Sequence, residues 1–140
     1  MKKAGLFFLV LVMLGSLSVR ESGAVEWCWA IGTTDYFRIS VTQPDPTLPY
    51  YSLNGIWYEP AGNYVFPLTG TMVKNYNGTE WLLNLSGTYP GTTGLLEAYL
   101  MEAVIAPATR NGTIYIYYPI ASENTSYPFT KVKCSSTPAP

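Results

Sequence analysis

The sequence predicts an all-β domain of eight antiparallel strands closed as an up-and-down barrel, with a two-sheet β-sandwich as the alternative. Three observations lead there. Short runs of β-branched and aromatic residues recur between Gly, Pro and Asn signals, while helical periodicity is scarce. Asn-Gly, which tight hairpins favour because both central residues must accept positive φ, occurs at Asn54-Gly55, Asn77-Gly78 and Asn111-Gly112. Cys28 and Cys134 stand at opposite ends of the strand-rich region, so a single bridge would tie the first strand to the last.

Ahead of the strands, Lys2 and Lys3 precede an apolar run from Ala4 to Leu14 and a small-residue stretch containing Ser22, Gly23 and Ala24. This reads as an export signal over residues 1–24, with cleavage after Ala24 favoured over cleavage after Ser18. The run is shorter than the roughly 20 apolar residues needed to span a bilayer. The paired lysines and short core predict a bacterial protein, periplasmic or secreted. Loss of this segment removes Lys2, Lys3, Arg20 and Glu21, leaving five basic against eight acidic residues. In an oxidising compartment the two cysteines have only one internal pairing. A redox or metal role for them lacks both a C-x-x-C motif and a histidine partner.

The first strand, Glu26 to Gly32, carries Cys28. The second, Tyr36 to Gln43, alternates most clearly, with Phe37, Ile39 and Val41 on one face and Arg38, Ser40 and Thr42 on the other. Pro44, Pro46 and Pro49 stiffen the loop that follows. Tyr50 to Glu59 is the third strand, and Asn54-Gly55 within it signals a bulge or a dividing turn. Tyr64 to Lys74 and Thr79 to Thr88 flank Asn77-Gly78 as a hairpin. The matching Leu68-Thr69-Gly70-Thr71 and Leu85-Ser86-Gly87-Thr88 read as glycine kinks that let a sheet curl. Leu95 to Ile105 has helix-forming composition but reads as a strand in this context. Thr113 to Pro119 is apolar on both faces. Phe129 to Ser135 is the eighth strand, giving one domain over 25–134 and a disordered tail over 135–140.

Composition removes several kinds of chemistry. The 140 residues include no histidine, which excludes Ser-His-Asp and Cys-His catalysis and the commonest zinc ligand. A formal charge of -1 provides no basic stripe for nucleic acid. Glu97 and Glu102 are five apart and face opposite sides of a strand, so they cannot form a carboxylate pair. Asp35, Asp45, Glu59 and Glu123 read as solvated loop or strand-end charges. The N-x-Ser/Thr triplets at Asn77, Asn84, Asn111 and Asn124 read as turn chemistry in a bacterial chain. The expectation is a non-catalytic protein with no cofactor and no metal.

Twelve tyrosines and four tryptophans are the strongest compositional feature. Large rings with one polar tip fill small barrels and also stack on ligands. Gly55-Ile56-Trp57, a G-x-W within Leu53–Tyr58, resembles, with Tyr64–Thr71 following, the opening of calycin barrels, the lipocalin and avidin superfamily. Trp27-Cys28-Trp29, Asp35–Gln43 and Leu68–Thr71 are similar to small exported bacterial proteins of unknown function with lipocalin-like meanders. Two predicted strands precede G-x-W here, whereas it lies on the first strand of lipocalins. Thr34-Asp35-Tyr36 comes before Gly55 and not after it. The resemblance implies an eight-stranded barrel whose open end admits a small apolar or aromatic molecule. The leading expectation is such a ligand in the lumen, held by Tyr51, Trp57, Trp81 and Tyr99. The alternatives are an envelope or surface β-sandwich binding protein or glycan through exposed tyrosines such as Tyr115 and Tyr117, and, further behind, an integral outer-membrane barrel. No nucleic-acid partner and no stable membrane insertion are expected.

Overall fold

A computed structural model describes residues 23–75, 77–90 and 94–137. The predicted export signal therefore lies almost wholly outside the described residues. Eight strands follow one another round a closed antiparallel barrel: β1 Val25–Ile31, β2 Asp35–Thr42, β3 Tyr50–Glu59, β4 Tyr64–Lys74, β5 Trp81–Pro90, β6 Leu96–Ile105, β7 Gly112–Tyr118 and β8 Glu123–Val132. β8 returns to pair with β1 over Cys28–Ile31, so the sheet closes on itself and the sandwich alternative is set aside.

Alternate residues of every strand point inward, and through the middle of the barrel most of those positions are apolar. Phe37, Ile39 and Val41 of β2, Leu83 and Leu85 of β5, and Ile114 and Ile116 of β7 are all buried. Burying each such side chain contributes about 1.5–3 kcal/mol. Trp29, Leu53, Leu68, Met72, Tyr99 and Met101 complete the filling from the remaining strands. β6 settles the helix-or-strand question in the same way. Tyr99, Met101, Ala103 and Ile105 are buried while Leu100, Glu102 and Val104 are exposed, a period of two that no helix gives.

A wall this tightly curled needs positions without a Cβ. Leu68 of β4 lies opposite Gly87 of β5, and Gly70 lies opposite Leu85, so the repeated Leu-x-Gly places each leucine against the partner strand's glycine. A Cβ on Gly70 would come within 1.9 Å of the Asn84 carbonyl oxygen, so the strands close up only because it is absent. Gly55 has the same cause: a Cβ there would meet the Arg38 carbonyl at 2.1 Å. β3 runs unbroken through it, so Asn54-Gly55 is neither a bulge nor a turn but a close approach of β2.

The other Asn-Gly pairs lie near turns. At Asn77-Gly78 the chain reverses with Gly78 at φ 68°, its N–H donating to the Asn75 carbonyl at 2.9 Å. Asn111-Gly112 follows a reversal in which Arg110 takes φ 60°. The Asn111 side chain accepts the Lys131 N–H at 2.8 Å and ties this loop to β8.

Two elements differ from expectation. β8 begins at Glu123 and not at Phe129, although Pro128 interrupts it. Residues before Phe129 pair with β7 alone. The Pro128 carbonyl accepts the Gly32 N–H at 3.0 Å on the other side, so the donor that proline lacks falls at an unpaired edge. Of the tail expected to be disordered over 135–140, residues 138–140 lie outside the described residues, while a 3-10 turn spans Cys134–Ser136 and Thr137 is buried. Arg38, on the outer face of β2, donates to the Cys134 carbonyl at 2.9 Å and to Thr137 Oγ1 at 3.0 Å. A Cys28–Cys134 disulfide, with 5.1 Å between Cα atoms, fixes this turn across the outside of β1.

Candidate functional site

The strand directions give the barrel two unlike ends. β2, β4, β6 and β8 run toward one end, the base; β1, β3, β5 and β7 run toward the other, the mouth. The base is plugged by indoles. Trp27 stacks on Trp81 with centroids 5.1 Å apart and planes 12° from parallel, and Tyr51 leans on Trp81 at 6.0 Å. The Arg110 guanidinium lies 4.4 Å above the Trp27 ring, and the Trp29 indole N–H donates to the Arg110 carbonyl at 2.7 Å. One short loop thus supplies both a cation for a ring face and an acceptor for a buried N–H.

At the mouth the rings leave space. Trp57 packs edge to face on Phe66 at 5.7 Å and on Tyr99 at 5.6 Å, and Tyr89 packs the same way on Tyr118 at 5.4 Å. These form a cup with fully buried Tyr99 as its floor. Inside it is a hollow of about 150 Å³ lined by Trp57, Glu59, Phe66, Tyr89 and Tyr118. A second hollow of about 550 Å³ shares Trp57, Glu59 and Tyr118 and extends along the β1–β2 turn to Asp35 and Tyr127.

Four carboxylates stand at this end: Asp35 starts β2, Glu59 ends β3, Glu97 lies at the start of β6 and Glu123 starts β8. Each falls on the inward phase of its strand, as the pairs Glu59 with Tyr64, Tyr89 with Glu97, and Tyr118 with Glu123 show. Asp35 accepts the Trp57 indole N–H at 2.9 Å and the Thr34 hydroxyl at 2.7 Å. Glu97 accepts the Tyr89 hydroxyl, a bond that, with some desolvation, pushes the Tyr89 phenol up to about 12. Tyr118 is raised mainly by burial and then by the charges near it, those of Asp35, Glu123 and Glu59 among them. Tyr99 is raised by burial first and by Tyr118 second.

No family model, curated protein or solved structure matches the chain.

The four aromatics expected to share one ligand site fall at two ends. Trp57 and Tyr99 belong to the mouth; Tyr51 and Trp81 belong to the base plug. Ile39, Leu53, Leu68, Leu85, Met101 and Ile116 occupy the barrel between them. The carboxylate group was missed because its members are scattered along the chain and each reads singly as a strand-end charge. A usable signal was present: Asp35 shares the phase of Phe37, Ile39 and Val41, and Glu97 shares that of Tyr99 and Met101. On the outer wall a further groove of about 510 Å³ runs past Leu100, Glu102, Tyr115, Tyr117, Asn124 and Ser126.

Proposed function

We propose that this is a non-catalytic, exported β-barrel that binds a small ligand with apolar or aromatic character at the mouth of its lumen. The observation that supports the reading is the aromatic cup of Trp57, Phe66, Tyr89 and Tyr118 over Tyr99, since packed rings that leave a hollow are the usual lining of a small-molecule site. Because side chains fill the barrel centre, the proposed site is put at this end and not in the middle of the lumen. The disulfide fits an oxidising compartment, and no helix among the described residues is long and apolar enough to cross a membrane. The apolar interior is the reverse of a porin-type barrel, which turns its polar face inward.

A screen of small aromatic and aliphatic compounds against the oxidised protein, by native mass spectrometry and by NMR of the Trp57 indole N–H, tests the reading. Hits are expected to shift Trp57 and to lose binding in Trp57→Leu while Trp81 is undisturbed. Hits that shift Trp81 alone, or none that shift Trp57, would reject the mouth. The outer groove supports a second reading, recognition of glycan or protein through Tyr115 and Tyr117, which are 58% and 41% exposed. Glycan-array binding lost in Tyr115→Ala with folding intact would favour it.

A further inference from the structure

We propose that the mouth is selective for an organic cation, an alkylated ammonium headgroup seated among Trp57, Phe66, Tyr89 and Tyr118 beside the Glu59 carboxylate. This deepens the reading above and rests on it. The lining of the smaller hollow is four aromatic side chains and one carboxylate. Aromatic faces carry partial negative charge, so a cup built of such rings attracts a bulky cation.

Two of the donors on this lining, those best placed to favour an anion or a sugar, are already given to carboxylates. The Trp57 indole N–H is given to Asp35, and the Tyr89 hydroxyl is given to Glu97. What remains on the lining is aromatic rings, the Glu59 carboxylate and the Tyr118 hydroxyl, which can accept as well as donate. Around it Asp35, Glu97 and Glu123 add negative charge at the same end of the barrel.

Among the described residues the basic side chains lie elsewhere. Arg110 covers Trp27 at the base; Lys74 pairs with Trp81, and Lys131 with Trp29, on strands at that end. Arg38 is outside the wall with Cys134 and Glu26, and Lys133 leads into the 3-10 turn. The field at the mouth is therefore uncompensated by any described lysine or arginine.

Size and ligand count select the kind of cation. About 150 Å³ is below the roughly 300–1,000 Å³ of a whole-ligand site, so the cup suits a headgroup while the adjoining 550 Å³ hollow takes the remainder. Calcium-type ions need six to eight oxygens, and a hollow with one lining carboxylate does not supply them.

The test compares choline with its neutral carbon isostere, in which a tert-butyl group replaces trimethylammonium. Each is titrated into oxidised protein while the Trp57 indole N–H signal, assigned with Trp57→Phe, is followed. Choline is expected to bind about tenfold more tightly than the isostere. Glu59→Gln should remove most of that preference without changing the isostere's affinity. Equal binding of the two probes overturns cation selectivity and leaves a ligand-binding mouth standing. A preference that survives Glu59→Gln intact overturns the role given to that carboxylate. If neither probe moves Trp57 while compounds from the neutral screen do, the cation proposal alone fails; if nothing moves it, both fail.

Discussion

Replacing both half-cystines, Cys28→Ala with Cys134→Ala, opens a loop closed across 106 positions. The chain-entropy model assigns a loop of that length about 4.7 kcal/mol of denatured-state restriction. Two features of the structure adjust the figure. The bond adjoins the shortest seam of the barrel, where Cys28–Ile31 pair with Val132–Phe129 over four positions against ten for β3 with β4, so little pairing resists opening there. Against that, Arg38 still holds Cys134 and Thr137 by two hydrogen bonds that do not need the sulfur link. These terms leave an expected loss of about 3–5 kcal/mol, equivalent to roughly 10–20 °C in Tm for a domain of this size. Urea unfolding of the oxidised protein and the double variant measures it directly. Comparing m-values separates a native-state effect from a change in the unfolded chain. A loss below about 1 kcal/mol with equal m would refute the argument that the bond restrains the chain and secures the β1–β8 seam.

Three further outcomes are expected. Gly70→Ala forces a Cβ toward the Asn84 carbonyl, where backbone and not a flexible tip must yield, and should cost about 2–4 kcal/mol in urea unfolding, far more than Gly78→Ala in the open turn. Tyr89 and Tyr99 hold their phenolic protons more tightly folded than unfolded, so the stability they supply is complete below about pH 10 and is lost as pH rises above it, through about 12 for Tyr89 and beyond that for buried Tyr99. Tyr99→Phe should flatten that alkaline decline in the urea midpoint, and an unchanged slope would show that Tyr99 does not contribute to it. Trp29→Ala should destabilise by about 3–5 kcal/mol, because the ring is fully buried and its N–H bonds the Arg110 loop; a loss below about 1 kcal/mol by calorimetry would contradict the packing described.

The wall of the barrel was legible because its signal is local. Phe37, Ile39 and Val41 announce an inward face within eight residues, and the paired Leu-x-Gly motifs mark where the sheet curls. β8 was half hidden because Glu123–Ser126 are polar and Pro128 reads as a breaker, yet pairing with β7 alone tolerates both. The site was less legible because it depends on strand direction as well as phase. Tyr51 and Trp57 share a strand and a face, but one lies near its start and the other near its end, so they reach opposite ends of the barrel. Pairing of β2 with β3 sets Asp35 beside Glu59, but Glu97 and Glu123 join that end only once the meander closes.

An even number of strands has a practical corollary. A meander that crosses eight times comes home to the side from which it set out, so Val25 and the turn at Cys134–Ser136 both lie at the base. A tag, surface linkage or fused domain joined at either point would grip the molecule like the stem of a goblet. The rim with Trp57 and Glu59 would then face away from the support, available to whatever diffuses past.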